Sequence, residues 1–401
     1  DNPVAVQGGK SGFTRNTQQE LNLTTFATIH ILPELSVKGV YSVRNNTSNQ
    51  DGFKRHFSYG NEASSFDSGL REGYDKYYTN NYYTGQVLIN YNKTFGKHTI
   101  GALAGFESYE HIYKYTEATR KGGGNDELGE SLNTLDASSQ TNTDGGYEMA
   151  RLSYFGRIQY DFMGKYLFEA NLRSDASSRF PKDNRWGVFP AFSAGWRISE
   201  ESFVKDNIDW LSNLKLRLSY GVSGNINIPS GQTSRTYSIK ESSWLHLQNS
   251  WLTTGNAMSN PDLKWETTHL LNLGIDFGFF NNKLNGSFEV YKNNVKDLLM
   301  EMQITGSGYN TQYQNVGETK NSGFELTLNY DAINTKNYGL NFSFTLGHNT
   351  NEVVSLGSMD SYSKPSYWAS TEIGSDYLVK PGKPVGTIVG YKLAGTGRYE
   401  V

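Results

Sequence analysis

Residues 186–198 read WGVFPAFSAGWRI, and the alternation of side chains in this stretch decides the fold. Every second residue from Trp186 to Ile198 is apolar or proline, whereas the intervening positions are mostly small or polar. A two-residue period of this kind indicates a β-strand with two unlike faces. Because proline removes one hydrogen bond from a strand ladder, we expect a local irregularity or loosened pairing at Pro190.

The same alternation recurs along the chain and predicts about twelve antiparallel strands. Alternating residues 151–162 are followed by a short turn at 163–165 and a second alternating run at 166–173, which is typical of a β-hairpin. The other predicted strands lie near residues 20–32, 36–44, 78–92, 98–111, 214–224, 265–279, 284–294, 316–330 and 338–349. No amphipathic helical stretch longer than three turns competes with them, so the predicted fold class is all-β.

The connections between the predicted strands alternate between short and long. The short or intermediate ones are 33–35, 93–97, 163–165, 199–213, 280–283 and 331–337, and the longer ones are 45–77, 112–150, 176–185, 225–262, 295–315 and 350 onward. An outer-membrane barrel has this parity, with short periplasmic turns and long extracellular loops. The sequence therefore predicts an antiparallel transmembrane β-barrel.

The spacing of two tryptophans fits the thickness of such a membrane. Trp186 and Trp196 are ten residues apart, which at roughly 3.3 Å per residue and a tilt of about 45° corresponds to about 23 Å of height. The apolar band of an outer-membrane barrel is about 25 Å tall. Lipid is therefore the expected partner of the apolar face.

Composition and motifs exclude several functional classes. The 401 residues contain no cysteine, which excludes disulfides and thiolate metal sites, and the net charge of −3 gives no basic footprint for nucleic acid. No run of 18 apolar residues exists for a membrane-spanning helix. The seven histidines lack the HExxH spacing, and GVSGN at 221–225 misses the GxSxG pattern by one place. We expect neither an enzyme nor a cofactor.

Five segments in order resemble the barrel of TonB-dependent outer-membrane transporters of the SusC/RagA type. They are SSRFPKDNRWGVFPAFSAGWRISEESF (177–203), LKLRLSYGVSGN (214–225), NPDLKWETT (260–268), LNLGIDFGFFNNKLNGSFEVYKNNVKDLL (271–299) and NVGETKNSGFELTLNY (315–330). The resemblance implies a 22-stranded, plugged barrel in the outer membrane of a Gram-negative bacterium. Residues 1–401 are then a partial β-barrel domain, with the plug, the TonB box and the remaining strands outside this chain. A complete 12-stranded barrel is the alternative.

The resemblance also implies a function and partners. Transporters of this type actively import large nutrients such as oligosaccharides or peptides, together with a SusD-like surface lipoprotein that acts as a lid. Energy is expected from the TonB–ExbB–ExbD system, acting through the plug. A passive porin or adhesin-like barrel is one alternative. A soluble carbohydrate-binding β protein is another, and it would need polar faces on its outer strands.

Several sets of residues are predicted to have distinct roles. Rings in the long loops 225–262 and 350–384 are expected to contact cargo or lid, or simply to anchor the loops: Trp244, Trp251, Tyr362, Tyr367, Trp368 and Tyr377. Aromatic residues near strand ends are expected at the membrane interfaces: Trp186, Trp196, Trp265, Phe162, Tyr166, Phe279, Phe280, Tyr330 and Tyr338. Charged residues in the opposite phase are expected to face the lumen: Arg157, Glu169, Arg173, Arg217, Glu289 and Glu325. Residues expected to face lipid are Val188, Phe192, Leu216, Leu218, Leu271, Leu273, Phe288, Leu326, Phe342 and Phe344.

Overall fold

Twelve antiparallel strands make up most of the structure, a computed structural model that describes residues 11–56, 58–61, 64–67, 69–123, 126–235, 237–241, 250–254, 256–366 and 375–390. The strands are hydrogen-bonded in chain order into one sheet, as the sequence predicts. They are β1 (Gly12–Leu32), β2 (Leu35–Lys54), β3 (Glu72–Phe95), β4 (His98–Lys121), β5 (Thr141–Phe162), β6 (Tyr166–Ser177), β7 (Trp186–Arg197), β8 (Leu211–Asn225), β9 (Glu266–Phe279), β10 (Leu284–Lys296), β11 (Glu318–Asn334) and β12 (Gly339–Ser355).

Shorter elements lie in the connections. Paired short strands occur at Ser58–Asn61 and Ser64–Asp67, at Tyr237–Glu241 and Ser250–Thr254, at Ala257–Met258, Leu299–Gln303 and Thr311–Asn315, and at Tyr362–Lys364, Tyr377–Val379 and Thr387–Ile388. Turns of 3-10 helix occur at Asp126–Leu128, Leu132–Thr134, Ala137–Ser139, Lys182–Asn184 and Ile198–Glu200, and one short α-helix, α1, spans Ser202–Lys205. No helix in the described part of the chain is long and apolar enough to cross a membrane.

The chain divides into two compact units. Unit one comprises Asp1–Ile29, Val37–Leu88 and Phe106–Leu152, and unit two comprises His30–Ser36, Ile89–Gly105 and Ser153–Val401. All six short connections between the strands of the sheet belong to unit two.

The two-residue alternation gives the sheet of unit two one apolar and one charged face. In the register of β7, β8 and β9, Leu216 lies between Trp196 and Ile275, whereas the next residue, Arg217, lies between two glycines. Eight of the ten residues predicted to face lipid are exposed, from 39% for Phe288 to 59% for Val188. Such a continuous exposed apolar face is what a membrane-spanning sheet requires.

Pro190 lies where the ladder between β7 and β8 stops. The pairing of β6 with β7 passes through Leu172 and Pro190 without a register shift. On the other side, the last pair between β7 and β8 is Ala191 with Gly221. The absent N–H of proline therefore falls next to the end of a ladder, where its cost is small, and the predicted loosened pairing is present.

The short turns have the backbone geometry that tight hairpins require. Met163 and Gly164 have φ of 59° and 67°, and the N–H of Lys165 donates to the carbonyl of Phe162 across 3.0 Å. Positive φ at both central residues is the signature of a type I′ turn, whose twist matches that of the flanking strands. The hairpin predicted at 163–165 is confirmed.

Backbone hydrogen bonds also join these short connections to their neighbours in unit two. Five N–H groups at the short-turn edge donate across 2.7–2.9 Å to a carbonyl of the adjacent connection: Asn92 to Glu34, Met163 to Lys97, Arg197 to Lys165, Phe280 to Trp210 and Asp331 to Lys283. Together these bonds form the rim of the sheet at the short-turn edge.

The strands β2 to β5 are longer than the sequence predicts. Residues 45–77 and 112–150 were expected to be loops, but β2 continues to Lys54, β3 begins at Glu72, β4 ends at Lys121 and β5 begins at Thr141. Polar residues are frequent in these extensions and interrupt the apolar alternation. Cross-strand polar pairs take its place, for example the Nδ2 of Asn45 with the Oδ1 of Asn81 at 2.6 Å.

Candidate functional site

The charged face of unit two contains an arginine that links three strands. Arg217 on β8 donates from Nε and Nη2 to both carboxylate oxygens of Asp276 at 2.8 and 2.7 Å, and from Nη2 to Glu289 on β10 at 2.7 Å. Gly274 lies between them, and a Cβ at this position would come within 3.0 Å of Nη2 of Arg217. The glycine thus leaves room for the guanidinium to cross β9. Bidentate pairs of this kind are the stronger class of ionic hydrogen bond.

Other predicted lumen residues lie on the same face with their own partners. Glu169 accepts hydrogen bonds from Gln159 at 2.6 Å and from Asn171 at 2.7 Å. Arg173 donates to Asp175 at 2.8 Å, and its guanidinium also lies 5.1 Å from the centroid of the Phe155 ring.

Arg157 and Glu325 are exposed and make no ion pair within the described residues. Glu325 lies opposite Glu289 in the register of β10 and β11. All six predicted charges therefore lie in one phase of the strands. Four of them make side-chain hydrogen bonds or ion pairs, and Arg157 interacts electrostatically with Glu169.

A carboxylate at the short-turn edge, which the sequence analysis missed, holds the connection between β7 and β8 in place. Glu201 accepts hydrogen bonds from Tyr166 Oη at 2.6 Å, Trp196 Nε1 at 3.1 Å and Lys165 Nζ at 3.0 Å. The Tyr166 hydroxyl, followed by Lys165 and Trp196, lowers the pKa of the Glu201 carboxyl. Glu201 also precedes α1 directly, and its backbone carbonyl accepts from the N–H of Lys205 at the end of this helix. The only sequence signal was an acidic residue just after the aromatic strand end.

Most predicted interface aromatics lie on strand ends as expected from their spacing. Trp186 stacks on Tyr154 with ring centroids 5.9 Å apart, and both rings are exposed. At the other end of β7, Trp196 stacks on Tyr166 at 6.4 Å, and Phe162 stacks on the other side of Tyr166 at 6.2 Å. Phe279 contacts Trp210 at 5.6 Å, while Phe280, Tyr330 and Tyr338 are exposed.

Trp265 is the exception, because it belongs to a buried cluster rather than to the outer surface of the sheet. It was expected at the outer membrane interface, but it is 9% exposed and packs with Phe180, Phe189, Ile228 and Leu263, which we call the loop core. Its Nε1 donates to the carbonyl of Arg185 at 2.9 Å.

Two glycines create the space for this cluster. A Cβ at Gly224 would lie 2.3 Å from the ring of Phe189 and 2.7 Å from that of Trp265, and a Cβ at Gly187 would meet the same two rings. The NPDLKWE segment is therefore a structural element that packs the long connections together.

Asparagine side chains strengthen the loop core by bonding to the backbone of other connections. Asn315 donates from Nδ2 to the carbonyls of Lys264 and Asp297, both at 2.9 Å, and accepts from the N–H of Lys264 at 2.9 Å. Asn260 donates to the carbonyl of Tyr313 at 2.8 Å. Because these bonds join residues of different connections, the described segments 256–265 and 297–317 are held against each other.

Only part of the predicted cargo or lid surface lies within the described residues. Tyr362 and Tyr377 belong to one three-stranded sheet, where they pair with Val379 and Lys364 respectively, and burial raises the pKa of Tyr362. Trp251 lies opposite Lys240 in a separate two-stranded sheet. Trp244, Tyr367 and Trp368 lie outside the described residues. The structure thus places two of the six residues on neighbouring strands of one small sheet.

Chemistry that depends on a metal has no visible site in the described ranges. No group of three or more histidine, aspartate or glutamate side chains there is arranged to hold a metal ion.

The comparisons with known proteins agree with the fold. Residues 3–399 match the family described as TonB dependent receptor-like, beta-barrel. The chain is 30% identical over 389 residues to TonB-dependent receptor P39 of Formosa agariphila, covering 96% of this chain and 35% of that protein. It is also 30% identical over 393 residues to TonB-dependent receptor SusC of Bacteroides thetaiotaomicron, covering 96% of this chain and 36% of that protein.

A solved structure, that of the RagAB peptide transporter, matches with a TM-score of 0.80 and 26% identity, covering 94% of this chain and 40% of that one. The chain thus spans little more than a third of the length of its curated relatives. These findings agree with the SusC/RagA resemblance. The chain belongs to the TonB dependent receptor-like β-barrel family, which consists of outer-membrane receptors and transporters of Gram-negative bacteria rather than enzymes.

Proposed function

We propose that this chain forms part of the wall of an active importer of the SusC type, which takes up large nutrients such as oligosaccharides or peptides across the outer membrane. The observation that supports this most is the division of the sheet of unit two into an exposed apolar face and a face of bonded charges. An arginine facing lipid at the membrane midplane costs about 2–4 kcal/mol. The face with Arg217 therefore lines the lumen, and lipid covers the other.

The same reading assigns the chain a place in a larger barrel. Its twelve strands supply part of the 22 strands of a plugged barrel, and the plug, the TonB box and the remaining strands belong to other parts of the protein. The coverage of only 35–40% of the related chains supports this division. Import is then powered through the plug by the TonB–ExbB–ExbD system.

The long connections are the proposed site of contact with cargo and with a SusD-like lipoprotein lid. They are much longer than is needed to close hairpins, and loops of that kind usually serve recognition. The loop core supports this role, because it gives three of them a fixed shape. The loops 225–262 and 350–384, with their tryptophans and tyrosines, form part of this surface.

Uptake by the full-length protein tests the proposal. Cells carrying it are supplied with fluorescent oligosaccharides and, separately, fluorescent peptides, in strains with and without TonB. We expect uptake of one class that stops when TonB is removed, and co-purification of a surface lipoprotein. Shortening the loop 350–384 is expected to reduce recovery of the lipoprotein while the barrel still inserts. Uptake that continues without TonB would favour a passive pore.

A further inference from the structure

Seven rings in unit one form a continuous surface that the sequence analysis missed. They lie on β3, β4 and β5, in the phase opposite to the exposed residues Tyr77, Val87 and Leu152. We call this set the tyrosine patch: Tyr78, Tyr82, Tyr109, His111, Tyr113, Tyr115 and Tyr147. A cluster of this size on one face is more than strand pairing requires.

The rings of the tyrosine patch follow one another without a gap. Tyr82 stacks on His111 with centroids 4.2 Å apart, and His111 meets Tyr147 edge-on at 5.3 Å. Tyr113 lies 5.2 Å from Tyr147 and 5.9 Å from Tyr115. A Cβ at Gly145 would come within 2.9 Å of the Tyr115 ring, so this ring covers the strand surface at a glycine. The patch therefore lies along the wall as a broad, half-buried surface.

Hydrogen bonds hold this surface in place. The Nε2 of His111 bonds the Oδ1 of Asn80 at 3.0 Å, and the hydroxyl of Tyr78 donates to Glu117 at 2.9 Å. Glu117 also pairs with Lys76 at 3.3 Å, so its negative charge is compensated. A ligand that contacts these rings pays little for ordering them, because they are already fixed.

One cation in the patch, Arg151, makes no ion pair within the described residues. The guanidinium of Arg151 lies 4.2 Å from the centroid of the Tyr109 ring, and within the described part of the chain its side chain makes no ion pair and its buried Nε makes no hydrogen bond. By contrast, Arg44, which lies over Tyr82, pairs with Glu20 at 3.2 Å. The terminal Nη groups of Arg151 also make no hydrogen bond within the described residues, so these donors remain for a carboxylate.

We propose that the tyrosine patch binds an acidic oligosaccharide, with a sugar carboxylate paired to Arg151. This inference rests on the proposed import function. Sugar rings have apolar faces that pack on aromatic rings, and their hydroxyls both donate and accept, as tyrosine hydroxyls do. A peptide suits the patch less well. A peptide that binds by strand addition needs a free strand edge, and the backbone of β3, β4 and β5 is already paired within the sheet.

Titration calorimetry on the purified full-length transporter tests this inference. The probes are an oligogalacturonate and its fully methyl-esterified form, which has the same sugars without the charge, and an acidic peptide. We expect the wild type to bind the oligogalacturonate. Arg151→Gln weakens that binding about tenfold or more, because one ionic hydrogen-bonded pair is lost, and leaves binding of the ester unchanged. Arg151→Lys keeps the charge and loses less.

Matched controls separate binding from folding. Tyr77→Ala and Lys114→Gln alter exposed residues in the opposite phase of β3 and β4 and are expected to bind like the wild type. Heat-modifiable migration on gels shows that each variant is folded. Equal oligogalacturonate affinity in Arg151→Gln and wild type, no oligogalacturonate binding at all, or preference for the acidic peptide overturns the inference. TonB-dependent uptake is measured separately in the same strains. Uptake without oligogalacturonate binding contradicts this inference alone, whereas binding without TonB-dependent uptake contradicts the proposed import function.

Discussion

Truncating Trp265 tests whether the NPDLKWE segment holds the long connections together. In Trp265→Ala the loop core loses its largest ring, which is 9% exposed, and a hydrogen bond of 2.9 Å to the carbonyl of Arg185. Replacing a buried tryptophan by alanine costs about 3–5 kcal/mol. This cost falls on the packed loops and not on the strand ladder, so we expect a change in local opening with little change in global unfolding.

Limited proteolysis of the folded barrel measures that opening. A loss of about 3–5 kcal/mol raises the population of opened loops by a factor of about 10² to 4 × 10³, and the rate of cleavage follows this population when closing is fast. We expect cleavage within 226–265 to accelerate by that factor in Trp265→Ala. Trp265→Phe keeps most of the packing and loses about 1 kcal/mol of hydrogen bonding, which corresponds to about fivefold.

The matched control is Trp186→Ala. Trp186 is 49% exposed and contributes mainly one stacking contact with Tyr154. This contact contributes about 0.5–1.5 kcal/mol, and it lies on the face of β7 opposite to Phe189 and the loop core. Its removal leaves the loop cleavage rate unchanged. If the two alanine variants are cleaved at the same rate, the loop core does not fix the connections, and the structural role given to Trp265 is wrong.

Three further predictions concern the charged face, the short-turn edge and a glycine. Arg217→Leu leaves Asp276 and Glu289 without their shared donor. Because these side chains are about a third exposed, we expect the free energy of unfolding in urea to fall by about 1–3 kcal/mol. An unchanged midpoint of unfolding would contradict this. The pKa of Glu201 lies below its ordinary value of 4.5, so its stabilising effect is complete above pH 4.5 and is lost as pH falls through the lowered value. The wild type is therefore expected to lose stability in that acidic range more steeply than Glu201→Gln, and parallel pH profiles would refute this. A Cβ at Gly105 would lie 2.3 Å from the Phe155 ring, so Gly105→Ala is expected to lower the free energy of unfolding by about 1–3 kcal/mol. In the double variant Gly105→Ala/Phe155→Ala the clash is absent, so its loss in urea unfolding is expected to be smaller than the sum of the two single losses.

Local chemistry explains which parts of the fold the sequence predicts. The strand β7 is predicted because its apolar residues lie on the exposed face of the sheet and its small residues on the other, so the alternation is visible without any partner. The turn at Met163 and Gly164 is predicted because it separates two alternating runs, and its positive φ angles are those that a two-residue hairpin requires. The outer parts of β2 to β5 were assigned to loops, because frequent polar residues and glycines interrupt the apolar alternation there.

The misplacement of Trp265 has a different cause. An aromatic residue at a strand end packs equally well at a membrane interface or beneath a folded loop, and only the course of the loops decides between them. Here Gly187 and Gly224 clear the space, but a glycine in a sequence does not say which ring will fill it. Glu201 was missed for a similar reason, because its three donors come together only when the hairpin of β6 and β7 forms.

The rim at the short-turn edge makes this edge sensitive to the number of residues in each turn and tolerant of their identity. Every bond in it is made by main-chain groups, which all amino acids except proline provide. Substitutions that keep the backbone angles of a turn leave the bond to the next connection intact. Inserting one residue shifts the N–H away from its carbonyl and exchanges the two faces of the strand that follows. Related chains can therefore vary the turn residues wherever the backbone angles and the contacts of Glu201 are kept, while their turn lengths stay fixed.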